Sequence, residues 1–467
     1  MKKIVLLAFV LVLLWPMTVV IHFSASVKAE PRMIYVDAKN TGFENGTKEH
    51  PYNTIKEAIN VTTSGDTVFV YNGTYLEWSI VLDEDNLSLI GENKDNTIID
   101  GMNFGWILTI TARNVTVTGF TIQKSSIGTA GVFLNHATKS KISNNIIKNH
   151  DSGIYSVFSN GNVIENNWVA DNNEGIILSS VCKENEIRGN NVTGNTLFAG
   201  IDLSNGAHDN VIENNNIFQN KFGIFISSEN NSILGNQIIN NDVGISEYSG
   251  HTHEYYGPTY GYIIFHNNLI NNTKQLDLGN QSVNIWDNGL EGNYWSDYNE
   301  TDFDQDGIGD TPYVINGNNT DHYPLMGIFS DFPVTWEEET YHIATICNST
   351  ISAFQFDQAN KKIEFNVTDE EGIGFCRVTI PNVIVQYMWH RNYTVLTNGE
   401  PWPFKNWTDT ENTYIYFTYQ HPEHEVEIIS ELPTWTSTLL VFIMLTVTIA
   451  VYKRRPLKTP MRTRIIY

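Results

Sequence analysis

The chain has 467 residues, 41% of them hydrophobic and 17% charged. All 52 acidic residues lie between Glu30 and Glu431, while nine of the 28 basic ones lie outside, so that span carries a net charge of −33. Such a surface repels nucleic acid and polyanionic sugars unless metal ions bridge them; no nucleic-acid partner is expected, and cations, neutral glycans or surface proteins remain.

Residues 1–29 read as a secretory signal. Lys2 and Lys3 precede an apolar run over 4–21, and Val27-Lys28-Ala29 offers small residues for cleavage. An uncleaved anchor is the other reading, and both export the rest of the chain. Export permits disulfides. Cys347 and Cys376 fall in one C-terminal segment and are able to pair, which leaves Cys182 as an odd buried thiol. None of the three has metal-ligand spacing. Fifteen Asn-x-Ser/Thr sequons, from Asn45 to Asn406, fit a surface glycoprotein, although a chain this rich in Asn and Thr also makes them by chance.

Residues 54–61 predict a short helix with Ile55, Ala58 and Ile59 on one face, then a turn into the strand Thr67-Val68-Phe69-Val70. This helix is expected to cap the open end of a repeat. The repeat is marked by Gly131, Gly153, Gly175, Gly200, Gly223 and Gly244, and by Asn144, Asn166, Asn190, Asn214, Asn236 and Asn267. Both markers keep a period of about 22 residues, broken only at the last Asn step. Units of this length, built of short segments such as Gly175-Ile176-Ile177-Leu178, predict the coils of a parallel β-helix over residues 33–328. Coils stack about 4.8 Å apart. Ile154, Ile176, Ile201, Ile224 and Ile245 would then form one interior column, and equivalent asparagines an amide ladder. Asn and Gly also accept left-handed backbone at sharp corners.

Three candidate sites stand out. Asp151, Asp171, Asp202 and Asp242 lie near the Gly-bearing turns, where neighbouring coils are able to bring two carboxylates together across a glycosidic bond. Asp is also a common turn residue on conformational grounds. The insertion over 247–262 breaks the last repeat. It carries Tyr255, Tyr256 and Tyr260 for stacking on sugar rings, and His251 and His253 as an incomplete copper or zinc pair. A self-packed aromatic loop is the alternative. Asp302, Asp304, Asp306 and Asp310 alternate as in a Ca²⁺ loop, with Gly307 at the turn, but Tyr313 stands where an EF-hand places its Glu. The alternatives there are a structural Ca²⁺ and a bare Asp-Gly turn.

Past the repeat, residues 332–430 alternate in the manner of a small β-sandwich, expected as a spacer. Residues 434–452 form a second apolar run, with Trp435 at its edge and Lys453, Arg454 and Arg455 directly after it. This predicts a transmembrane helix that holds the body at the cell surface, with a basic cytoplasmic tail over 453–467.

The Asn-rich repeat resembles the right-handed parallel β-helix proteins grouped with NosD, the periplasmic maturation factor for nitrous oxide reductase. This group is also described as carbohydrate-binding and sugar-hydrolysis repeats. The run Gly292-Asn293-Tyr294-Trp295-Ser296-Asp297-Tyr298, with Asp306-Gly307-Ile308-Gly309-Asp310-Thr311-Pro312-Tyr313 and Tyr323-Pro324-Leu325, is similar to the way many such solenoids end. The resemblance covers residues 33–326 and implies an all-β, pectate-lyase-like solenoid. The segment after it resembles the membrane-proximal sandwich of archaeal surface proteins, and Glu431-Leu432-Pro433-Thr434-Trp435 resembles their sorting signals. The group holds lyases, hydrolases, epimerases and adhesins, so no single activity is implied. Its lyases use Arg or Lys as base with Ca²⁺, and between Met33 and Phe375 the arginines are Arg113 and Arg188 alone. The expectation is a non-catalytic surface protein whose lateral face binds glycans or surface partners. Against it stand a polysaccharide lyase or glycoside hydrolase on the wall, and the copper handling that the NosD name implies.

Overall fold

The computed structural model describes residues 30–247, 260–369, 372–420 and 422–431. The expected signal segment, the apolar run 434–452, the tail 453–467, and His251, His253, Tyr255 and Tyr256 lie outside the described residues. Among the described residues no helix is long and apolar enough to cross a membrane.

Buried backbone polar groups must find partners. Here they find them along the axis, from each coil to the next, in a parallel β-solenoid of about nine turns. Sheet I has eleven strands, from Met33–Val36 to Val283–Ile285. Sheet II has ten, from Gly73–Leu76 to Tyr294–Trp295, and sheet III has nine, from Ile80–Leu82 to Lys274–Asp277. The expected interior column exists. Ile154 pairs with Ile176, Ile176 with Ile201, Ile201 with Ile224 and Ile224 with Ile245. All five are fully buried, and burial of each side chain contributes about 1.5–3 kcal/mol.

The repeat glycines serve space rather than backbone handedness. None of the six has a positive φ. A Cβ on Gly175 would stand 2.2 Å from the Gly200 carbonyl oxygen, and one on Gly223 would stand 2.5 Å from that of Gly244. Left-handed backbone falls at the corners instead, among them the one from sheet I to sheet II. Asn144, Asn166 and Asn214 adopt φ of +54°, +55° and +54°, and Gly189 and Gly235 take the same place at +61° and +64°. The Asn marker read from the sequence therefore mixes two positions. Asn144, Asn166 and Asn214 turn the corner, whereas Asn190, Asn236 and Asn267 are the buried residues just after it.

Those buried asparagines form the ladders. Asn167 donates its backbone N–H and its side-chain amide to Asn190 Oδ1, both at 3.0 Å. Asn190 repeats this toward Asn215 and also donates to the Ile164 carbonyl at 2.8 Å. This line runs unbroken from Asn145 to Asn293. A second line, Asn172 to Asn272, occupies the corner from sheet II to sheet III. A third, Asn162 to Asn231, occupies the corner from sheet III to sheet I.

Both ends are closed. The helix Ile55–Ile59 is shorter than expected; Thr54 caps it, its hydroxyl accepting from the Glu57 N–H and donating to the Glu57 carboxylate, and it buries Ile55, Ala58 and Ile59. Glu77 accepts the orphan N–H groups of Ile55 and Lys56. At the far end Trp295 stacks on Tyr313 at 4.3 Å, and Asp321 accepts from Trp295 Nε1 and from the Asn293 N–H, both at 2.8 Å. Asp321 thus takes the place of the next asparagine.

The expected sandwich begins at Ile328, four residues earlier than its pattern suggests. Two five-stranded antiparallel sheets share one apolar core. Cys347 and Cys376 lie directly opposite each other on adjacent strands as buried thiols, and Cys182 is a third buried thiol inside the solenoid. The sandwich meets the solenoid through buried charge. Arg377 contacts Glu291, whose other oxygen meets His266 Nε2 at 2.7 Å. Burial alone would raise the Glu291 pKa, but Arg377 and His266 outweigh it and hold the carboxyl down at about 2. Phe329 stacks on His266 at 3.9 Å, and its backbone exchanges two 2.8 Å hydrogen bonds with the Asn268 side chain.

Asn190→Ala should strip partners from the Asn167 and Ile164 groups at once, at roughly 1–3 kcal/mol for each group left buried and unpaired. Chemical denaturation of the purified body should show a lowered midpoint. An unchanged midpoint would contradict a structural role for the ladder.

Candidate functional site

Side chains alternate across a strand, so residues two after each repeat glycine face outward from sheet III while the isoleucines between them face inward. In register order this outer column reads Phe133, Tyr155, Ile177, Asp202, Phe225. Stacking is imposed on it by the fold, and aromatic residues exploit that. Trp106 stacks on Phe133 at 4.2 Å, and Phe133 on Tyr155 at 5.6 Å, with interplanar angles of 30° and 24°. All three rings are half-buried. On the other side of Asp202, Phe198 and Phe225 approach to 4.7 Å.

Turn lengths shape the wall between these aromatic groups. From sheet II to sheet III the connections 124–129 and 194–198 are long, whereas the two between them, 149–151 and 171–173, have three residues each. The long turns carry Ile127 and Leu197 at 95% and 62% exposure, and they rim a notch three coil steps across, ~14 Å. Asp151 and Glu174 lie on its floor, half-buried, with Asn173 donating to Asp151 at 2.5 Å.

Asp202 lies beside them. It is 7% exposed; one oxygen accepts from Ser204 Oγ at 3.3 Å, and Oδ1 has no partner. Burial first, and then the Glu174 charge, push its carboxyl up to about 8. Glu174 is also raised, by burial and then by Asp151. Three acids from three coils thus act on one another, and among the described residues none of them forms an ion pair with Lys, Arg or His.

Of the four aspartates singled out in the sequence, the structure brings Asp151 and Asp202 into this cluster. Asp171 turns outward in a left-handed corner at φ +55°, and Asp242 is an exposed turn residue several coils away. Glu174, Trp106, Phe133 and Tyr155 escaped the sequence reading. Aligning the repeats on glycine would have revealed most of them. Glu174 is the acid in a position otherwise held by Ala130, Ser152, Ala199, Phe222 and Val243, and Phe133 and Tyr155 share the place of Asp202.

Of the insertion residues, Tyr260 is described and stands exposed at the start of a sheet I strand. Asp302, Asp304 and Asp306 bring carboxylate oxygens within 4.8 Å of one another. Asp310 is turned to a different task, accepting from the Phe303 N–H at 2.7 Å. Burial raises Asp302 and Asp306, and the neighbouring carboxylates add to the shift of Asp306. The loop is pinned to the sandwich by Arg377 at the Asp306 carbonyl and Lys405 at the Asp304 carbonyl. A cleft of about 710 Å³ at the same end, lined by Lys274, Gln275, Ser296, Asp297 and Tyr313, contains a single carboxylate and so offers no acid pair.

Because the folded Asp202 holds its proton up to about 8, it opposes folding increasingly as pH rises from the ordinary carboxylate range to that value, and fully above it. Asp202→Asn should therefore leave stability unchanged near pH 4 and raise it at pH 9, on the order of a few kcal/mol. Denaturation at the two pH values checks this; equal effects at both would contradict it.

A family model described as periplasmic copper-binding protein (NosD) matches residues 59–300, just over half of the chain. No curated protein matches the sequence. Among solved structures, pectate lyase Pel9A is 14% identical with a TM-score of 0.43, over 57% of this chain and 82% of that one. The alginate lyase of Paenibacillus sp. str. FPU-7 is 15% identical with a TM-score of 0.39, over 53% and 98%. ORF18 of Geobacillus virus E2 is 13% identical with a TM-score of 0.38, over 86% and 79%. Likenesses at these levels carry no argument about activity. The stacked coils, their asparagine ladders and the matched span place this chain in the NosD family.

Proposed function

We propose that sheet III is a glycan-binding wall, on which a polysaccharide lies along the solenoid axis and is held rather than cut. The observation that carries this reading is the half-buried stack Trp106–Phe133–Tyr155 running directly into the acid-floored notch. Aromatic faces in an axial row suit the apolar faces of successive sugar rings, and the acids supply hydrogen-bond acceptors for hydroxyls. The acidic exterior favours a neutral or cationic glycan over a polyanionic one. The body is exported and held at the surface by the 434–452 run, with the sandwich as spacer. Hydrolysis is the second reading, and the Glu174–Asp202 pair favours it, since sugar cleavage uses two carboxyl groups.

Copper, which the family description names, asks for thiolate, thioether or imidazole donors. Among the described residues, three or more acidic, His or Cys ligands gather only at Asp302, Asp304 and Asp306. Those hard oxygens do not fit copper. They fit Ca²⁺, which at this loop would brace the junction between solenoid and sandwich.

A glycan array probed with the body, followed by isothermal titration, tests the main reading. Binding should fall at least about tenfold in Trp106→Ala and Tyr155→Ala, with no new reducing or unsaturated ends on the bound polymer. New ends would replace binding with cleavage, and undiminished binding in both variants would move the site off this wall. Ca²⁺ added to metal-free protein should raise the melting temperature by at least about 2 °C, and not in Asp304→Asn. An unaltered melting curve would leave the loop bare.

A further inference from the structure

The three cysteines are all buried, but their surroundings differ. Cys182 has the Ser156 hydroxyl and the Ser159 N–H for neighbours, both at 3.5 Å, and the other two sulfurs lie away in the sandwich. Cys347 and Cys376 stand opposite each other on the adjacent strands Glu339–Cys347 and Ile373–Pro381.

Hydrogen bonds at the margin of this sheet fix which kind of pair they form. Phe329 turns both its backbone groups away from the strand Glu339–Cys347, to the Asn268 side chain. Its partner in that strand is Ile346, so Phe329 and Ile346 are an unbonded pair. Bonded and unbonded pairs alternate in an antiparallel ladder. Ile328 and Cys347 are therefore a bonded pair, and the Cys347 backbone groups face away from Cys376. The other strand agrees. Phe375 directs its N–H to Asn348 Oδ1 at 2.8 Å, which puts the N–H of the next residue, Cys376, on the opposite edge. Cys347 and Cys376 are thus a non-hydrogen-bonded pair, the kind whose Cα atoms stand about 4.5 Å apart and whose side chains come closest. A disulfide spans Cα separations of about 4.4–6.8 Å. Both side chains point into the sandwich core, where each thiol is in contact with the other, and Cys347 Sγ also meets the Tyr419 hydroxyl at 3.3 Å.

We infer that Cys347 and Cys376 are a disulfide site, joined under oxidising conditions, while Cys182 stays a thiol. The inference takes export from the functional reading and nothing from the glycan. The oxidant is a disulfide donor, small molecule or protein. One cysteine thiolate attacks it and releases the first donor thiol; the second cysteine then displaces the other, so that two protons and two electrons leave the pair and one S–S bond forms. Both sulfurs are fully buried once the sandwich closes, which places the step before closure. The bridge closes the loop over 348–375. That loop carries Thr350–Asp357 and Lys362–Thr368 of the opposite sheet, so one bond ties the two sheets together. It also fixes the strand that presents Arg377 to Glu291.

Two preparations of the full chain test this: one isolated from cells that export it, and one reduced, unfolded and refolded in oxidised and reduced glutathione. Each is unfolded again, alkylated without reductant and mapped by peptide mass. The peptides bearing Cys347 and Cys376 should be joined, lighter by two hydrogens than their sum, with Cys182 alkylated. Reductant should lower the melting temperature by at least about 5 °C, a response that Cys182→Ala keeps and Cys376→Ala loses. Three alkylated cysteines in both preparations, or a bridge that engages Cys182, overturns the proposal. A bridge in the glutathione preparation alone leaves the site standing and removes export from the functional reading.

Discussion

Everything in this molecule depends on each coil presenting to the next an outline that the next can repeat. The backbone bonds run along the axis, so a coil has no hydrogen-bonding autonomy, and any change of path is felt by both neighbours. The repeat glycines show how tight the fit is, with a carbonyl oxygen of the next coil standing where a side chain would begin. The asparagine lines meet the same demand at the corners, where strand pairing lapses and amide groups must continue it. Inside, isoleucine over isoleucine fills the lumen without polar groups to satisfy.

That constraint binds the inward positions and the corners, and it leaves the outward ones at liberty. Outward residues of sheet III vary from coil to coil, from Phe133 to Tyr155, Ile177, Asp202 and Phe225, while the inward residues beside them vary only among Val132, Ile154, Ile176, Ile201 and Ile224. Chemistry therefore collects on the outer wall. It is organised by the same stacking, since residues in equivalent places on successive coils are bound to be neighbours. Three acids become a cluster simply by occupying adjacent coils.

This division also explains what could be read from the amino-acid order. Gly175 and Ile176 announce the coil because every coil needs them, and the period follows. The Asn marker was half right: Asn166 and Asn190 are both corner residues, yet one turns the chain and the other bonds to the next coil, a difference of one position that spacing alone blurs. Glu174 gave no period of its own. Its importance lies in departing from the repeat, and in an unpaired Asp202 one coil away that only three-dimensional packing makes unpaired. The same holds for Asp310, whose alternation with Asp306 suggested a ligand but whose carboxylate closes its own loop.

The junction of Arg377, Glu291, His266 and Phe329 has a mechanical meaning. Charged groups sealed between two bodies resist separation until one partner is pulled free, and then the other is left stranded in a medium that cannot solvate it. Such a joint yields all at once. Parting the last coil from the sandwich would thus strand the Arg377 guanidinium or the Glu291 carboxylate, which ties the unfolding of the one to that of the other.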